Sequence, residues 1–131
     1  MVEFEPHGEF SLSTSGRVLT IRATGAFNAE ACKKFFHDSV KIAETGFYDE
    51  PWGCVMVFKD WFPTHDSIDI LKEVNENALR NRRAAIAIVV GEALPKQILK
   101  IILGHETHIF TDENEANQWV NNKLIALIRA G

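Results

Sequence analysis

The sequence predicts an α/β domain: one mixed sheet of about five strands flanked by four helices, with an antiparallel hairpin at the start and the remainder mainly parallel. Three observations predict it. Two unbroken apolar runs, Cys54 to Phe58 (CVMVF) and Ala84 to Val90 (AAIAIVV), have the length and texture of strands buried on both faces of a parallel sheet. Segments of helical periodicity alternate with strand-like segments from residue 28 onward, which implies right-handed crossovers. Two alternating segments near the N-terminus are joined by Ser15-Gly16, the pattern of a hairpin.

Taken in order, residues 9–14 (EFSLST) alternate apolar and polar, and VLTIRA at 18–23 resumes the alternation beyond the turn. Val18 and Thr20 then face one way, Leu19 and Ile21 the other. Asn28 is a good N-cap, because its side-chain oxygen accepts a free amide of the first turn. Cys32, Phe35, Phe36, Val40 and Ala43 follow at helical spacing, and Gly46 suits the C-cap. Phe47 to Trp52 form a loop shaped by Pro51. The central strand comes next, and behind it Asp60-Trp61-Phe62-Pro63-Thr64-His65-Asp66-Ser67 reads as a polar and aromatic junction leading straight into a helix. That helix is expected over about 66–82, capped by Asp66, with Ile68, Leu71, Val74, Ala78 and Leu79 on its buried face.

After the AAIAIVV strand, Gly91 breaks the chain and Pro95 opens a short helix over 96–103. Its residues Ile98, Leu99, Ile101, Ile102 and Leu103 are more apolar than one narrow stripe requires. Gly104 stops it, and 107–110 reads as a short edge strand. Asp112 with Glu115 resembles a capping box for a last helix in which Ala116, Trp119, Val120, Lys123, Leu124, Leu127 and Ile128 recur at helical spacing, with one Lys in the row. Trp52 and Trp119 read as core residues.

A length of 131 residues with 46% hydrophobic content suits one domain over 1–131 whose core needs neither disulfide nor metal. The formal net charge of −4, without any polybasic run, argues against nucleic acid as partner. Arg80, Arg82 and Arg83 form the one basic cluster and read as a solvated helix end. The opening MVEFEPHGEF has no signal-peptide character. Cys32 and Cys54 then read as reduced, buried thiols of a cytoplasmic protein. No apolar run approaches the length of a membrane span.

The chain resembles the STAS superfamily, and most closely its SpoIIAA-like branch of small bacterial proteins. The residues that carry the resemblance are VLTIRATGAFN, PWGCVMVFKDW, the Asp66-Ser67 pair, NRRAAIAIVV and FTDENEANQWV. Antagonists of anti-sigma factors in that family open their second helix with an Asp-Ser pair whose serine a partner kinase phosphorylates. The resemblance therefore implies a non-catalytic regulatory module with a protein partner, a kinase or anti-sigma-like protein, and it makes Ser67 the candidate phosphoacceptor. In the family a small residue and a glycine usually follow the pair, whereas here Ile68 and Asp69 do.

The residues alone leave several readings open. Ser67 also suits a plain first-turn role, its hydroxyl satisfying free amides. A phosphate there would meet the positive end of the helix dipole. Trp61 and Phe62 either cover the core edge or present a contact surface. With Asp60, Thr64, His65 and Asp66 on one side, and Ile98, Ile101 and Ile102 on the other, they would bound a groove. That groove would suit a partner, a second copy in a homodimer, or an apolar, lipid-like small molecule. Asp60, His65 and Asp66 are the residues an enzyme would use, but no catalytic motif supports them. His105 and His108 stand three apart, where the zinc-protease motif needs four. The expectation is therefore no enzyme, no cofactor and no metal.

Overall fold

The computed structural model describes residues 8–47, 49–91, 96–103 and 108–130, with the side chains of 96–98, 103 and 130 outside the description. Strands β1 (Glu9–Ser15) and β2 (Val18–Phe27) form the antiparallel hairpin, and Gly16 supplies the positive φ at its turn. β3 (Trp52–Pro63), β4 (Arg83–Val90) and β5 (His108–Phe110) then add in parallel, giving the order β1-β2-β3-β4-β5.

Each parallel step moves the same way across the sheet. Right-handed crossovers that all advance in one direction place their helices on one face. Accordingly α1 (Ala29–Gly46), α2 (Ile68–Arg80) and α3 (Lys96–Leu103) contribute to one apolar cluster, with Leu19, Ile21, Cys54, Met56, Phe58, Ile86, Ile88 and Val90 from the strands. The alternate strand residues Val18, Val55, Val57, Ala85, Ala87 and Val89 face α4 (Glu113–Ala130), which buries Ala116, Val120 and Leu124 against them. The apolar runs of β3 and β4 are thus covered on both sides, as their texture predicts. Leu19 and Ile21 separate from Val18 as expected.

Local signals hold at several ends. The side chain of Asn28 accepts the Ala31 amide at 3.0 Å. The Asp112 carboxylate accepts the amides of Asn114 and Glu115 at 2.7 and 3.3 Å, so it starts α4. Gly46 is the last helical residue of α1 and Phe47 the cap, its amide donating to Ala43 O. That helix has no basic residue in its last turn. Arg17, at the hairpin, takes the role instead, donating to Gly46 O, Phe47 O, Glu50 O and Pro51 O.

Two irregularities change which side chains point inward. On β3 the register passes from Thr24↔Lys59 to Gly25↔Trp61, so Asp60, at φ 47, is an extra bulged residue. Because strand side chains alternate, one extra residue reverses every orientation beyond it. Trp61 therefore lands on the same face as Phe58, and Phe62 turns out. The segment expected to be a junction loop is strand through Pro63, which lengthens the predicted strand at both ends. A second shift lies between Trp52↔Arg83 and Gly53↔Ala85, so Ala84 is the extra residue there. It turns Arg83 toward the side of α1–α3. The expected solvated basic cluster is thereby corrected: Arg83 is 7% exposed. Leu79, expected on the buried face of α2, is exposed, and Asn75 is buried in its stead.

Candidate functional site

Where β3 leaves the sheet, Thr64 ties the chain back to β2. Its amide donates to Phe27 O at 2.7 Å, and its one hydroxyl hydrogen is shared between Phe27 O, at 2.9 Å, and Asp66 Oδ1. His65–Ser67 then form a single 3-10 turn before α2 starts at Ile68. The Ser67 amide donates to Thr64 O at 3.0 Å and its hydroxyl to the same oxygen at 2.7 Å.

That hydroxyl is 0% exposed, and the Cys32 thiol of α1 lies against it. The expectation of an open helix tip presenting Ser67 is therefore corrected. The 3-10 turn rolls the side chain inward, and α1 covers it. Asp66 does not cap α2 by its side chain. A kinase could reach the serine only after the Thr64–Ser67 turn opened.

The other junction residues divide. Asp60, Phe62, His65 and Asp66 are exposed, Phe62 by 53%, and Thr64 is half-buried. Trp61 is 4% exposed, stacked on Phe58 at 4.1 Å between ring centroids and edge-on to Phe27 at 5.8 Å. It is core, whereas Phe62 is surface. On α3, Ile102 is buried with Leu99, and Ile101 faces solvent. The Ile98 side chain lies outside the described residues, as does His105. Trp61 and Ile102 line one interior cavity, whereas Phe62 and Ile101 are exposed. Among the described residues no three His, Cys, Asp or Glu side chains gather in a way that would hold a metal ion.

The interior beneath α1–α3 holds two cavities, of about 40 and about 30 Å³. The first lies among Phe27, Phe58, Trp61, Leu71, Leu99 and Ile102, and the second among Ile21, Ser39, Ala43, Trp52 and Cys54. Phe35, Met56, Val74 and Arg83 line both, so these four form the wall between them. Arg83 bonds Asn75 Oδ1, and among the described residues no carboxylate is paired with it. Burial pulls its guanidinium below the usual arginine range, with the nearby Cys54 opposing. Cys54 itself is pushed up to about 12 by burial and so is a neutral thiol rather than a counter-ion. Two buried donors also lack any partner among the described residues, the hydroxyl of Ser39 and the indole N–H of Trp61.

Arg83, Asn75, Ser39 and Met56 are site residues that the sequence reading missed. The signals were there. Asn75 is four residues from Leu71, on the apolar row of α2, and Arg83 abuts a buried strand with no turn residue between.

No family model and no curated protein sequence matches the chain. Its fold is similar to that of an uncharacterised protein of the DUF3478 family, with a SpoIIAA-like fold, from Shewanella loihica PV-4. The TM-score is 0.65 at 11% identity, over 92% of this chain and 98% of that one. It is also similar to an anti-sigma factor antagonist from Mycobacterium paratuberculosis, with a TM-score of 0.64 at 12% identity over 87% and 94% of the two chains. The chain has the STAS, SpoIIAA-like fold, as the resemblance in its sequence implies. Among the described residues no helix is long and apolar enough to cross a membrane.

Proposed function

We propose that the chain is a non-catalytic regulatory module of the bacterial cytoplasm that works through protein contact at the exit of β3. The observation that carries this is the half-exposed Phe62 ring, with Asp60, His65 and Asp66 exposed close to it in sequence, on a backbone fixed by the bulge and by Thr64. An apolar ring with a charged rim on rigid backbone is the composition of a contact patch. The fold shared with an anti-sigma factor antagonist supports the same reading. The contact does not need a phosphoserine switch, since Ser67 is buried.

Affinity capture from the native host, with wild type and with Phe62→Asp, tests it. A protein retained by wild type and lost with the variant, while both melt alike, is the expected result. Capture of the chain's own untagged copy would identify the partner as a second subunit. Partners that are unchanged by substitution at both Phe62 and His65 would sink the proposal.

A second reading is favoured by the paired cavities: the chain binds an apolar small molecule between the sheet and α1–α3. Ligand sites are apolar hollows with a few placed polar groups, and Trp61, Leu99 and Ile102 with Arg83 and Ser39 answer that description. Native mass spectrometry of the chain purified from its host should show an added mass that organic extraction removes. A single, unliganded mass under gentle conditions counts against it.

A further inference from the structure

We infer that the joined cavities beneath α1–α3 take a small apolar carboxylate, with Arg83 holding its head. The inference rests on the ligand-binding reading and adds the chemical class of the ligand. Its starting point is an imbalance. A guanidinium carries five N–H donors in a fixed fork, and burying a charge is costly unless it is paired. Arg83 is buried, bonds one neutral amide oxygen at Asn75, and has no carboxylate partner among the described residues. A bidentate carboxylate is the group whose geometry fits the unused fork.

The surroundings define the rest of the ligand. Arg83 sits in the wall shared by both cavities, so a head group there has space on either side. On the second side the unpartnered Ser39 hydroxyl lines the space and can donate to the same head. On the first side Phe27, Phe58, Leu71, Leu99 and Ile102 offer apolar surface to a tail, with Trp61 and Asn75 as the polar-bearing residues of that lining beside Arg83. Among the described residues no second cation lines either cavity, which suits a monoanion rather than a phosphate dianion. The spaces of about 40 and 30 Å³ hold only a few waters as they stand. Met56 lies between them, and methionine is the side chain best able to swing aside, so its movement would merge the two. The bulge at Ala84 gives the position its meaning, because without it Arg83 would point toward α4.

The test uses the full chain and three probes of one length: octanoate, octan-1-ol and octylammonium. Calorimetry gives affinities, and the Nε–Hε NMR signal of Arg83 reports on the head. Octanoate is expected to bind at least ~10-fold more tightly than octanol, with octylammonium weakest, and octanoate alone shifts the Arg83 signal. Arg83→Met should bring octanoate down to the level of octanol, and Ser39→Ala should weaken octanoate several-fold. Equal affinity for octanoate and octanol, or an Arg83 signal indifferent to octanoate, overturns the carboxylate inference while the apolar-ligand reading stands. Binding by none of the three overturns both. Should Arg83→Met fail to fold, the three-probe series and the Arg83 signal in wild type still decide the matter.

Discussion

On the α4 side of the sheet, small and β-branched residues meet without interruption. Val55, Val57, Ala85, Ala87 and Val89 pack on Ala116, Val120 and Leu124, and Gly53 lets the helix come close. None of these residues lines either of the two cavities described above, and among the described residues the two unpartnered buried donors, Ser39 and Trp61, lie outside this cluster. On the opposite side, aromatic rings, three helices and a buried arginine leave two hollows and two orphan donors. The two layers differ in residue chemistry and in how well each closes. One face is packed for stability, whereas the other tolerates defects that cost stability and that a ligand could use.

The largest expected effect sharpens that contrast at Ser67, on the imperfect face. Ser67→Asp places a carboxylate in a fully buried site beside Cys32 and should lower unfolding free energy by about 3–5 kcal/mol in urea titrations. A loss within ~0.5 kcal/mol would mean that the turn opens freely. Trp61→Ala comes next, at about 3 kcal/mol, since it removes the stack on Phe58 but also one orphan donor. On the closed face, Gly53→Val should cost about 2–3 kcal/mol. Even a bare Cβ at Gly53 would sit 2.5 Å from Val120 Cγ1. If the valine variant melts like wild type, α4 is less tightly seated than described.

A smaller effect separates the faces by pH. Burial raises the Cys32 thiol from 9.0 to about 11; the Ser67 hydrogen bond opposes this and the charge of Asp66 adds to it. A thiol raised in the folded state stays protonated there while the unfolded chain ionises. Its contribution is whole below about 9 and is lost as pH climbs through about 11. Stability should therefore decline over that window, and Cys32→Ala should flatten the slope. The smallest effect is Phe62→Ala, expected to change stability by no more than ~0.5 kcal/mol while weakening any partner at the β3 exit.

Much of the fold was legible because the strong signals are local. CVMVF and AAIAIVV can only be doubly covered strands, Asn28 and Asp112 cap the helices they precede, and the hairpin turn is written in Ser15-Gly16. The site was legible only in part, because it depends on two bulges. Asp60 and Ala84 each reverse the alternation, and no composition rule marks where a ladder gains a residue. Without them Trp61 and Phe62 cannot be assigned to opposite sides, and Arg83 reads as one more exposed base. Ser67 failed for a related reason. A 3-10 turn in place of the first α-turn rotates its side chain inward, and three residues are too few for periodicity to reveal that.

The claim on which the contrast between the faces depends is that Arg83 is kept for what it binds rather than for the fold. The double variant Arg83→Met/Asn75→Leu removes the cation together with its one partner, so neither is left buried alone. Urea denaturation of the unliganded chain should show the variant more stable than wild type by about 1–2 kcal/mol. A loss of stability of similar size would show that the arginine holds the fold together, and would contradict the account.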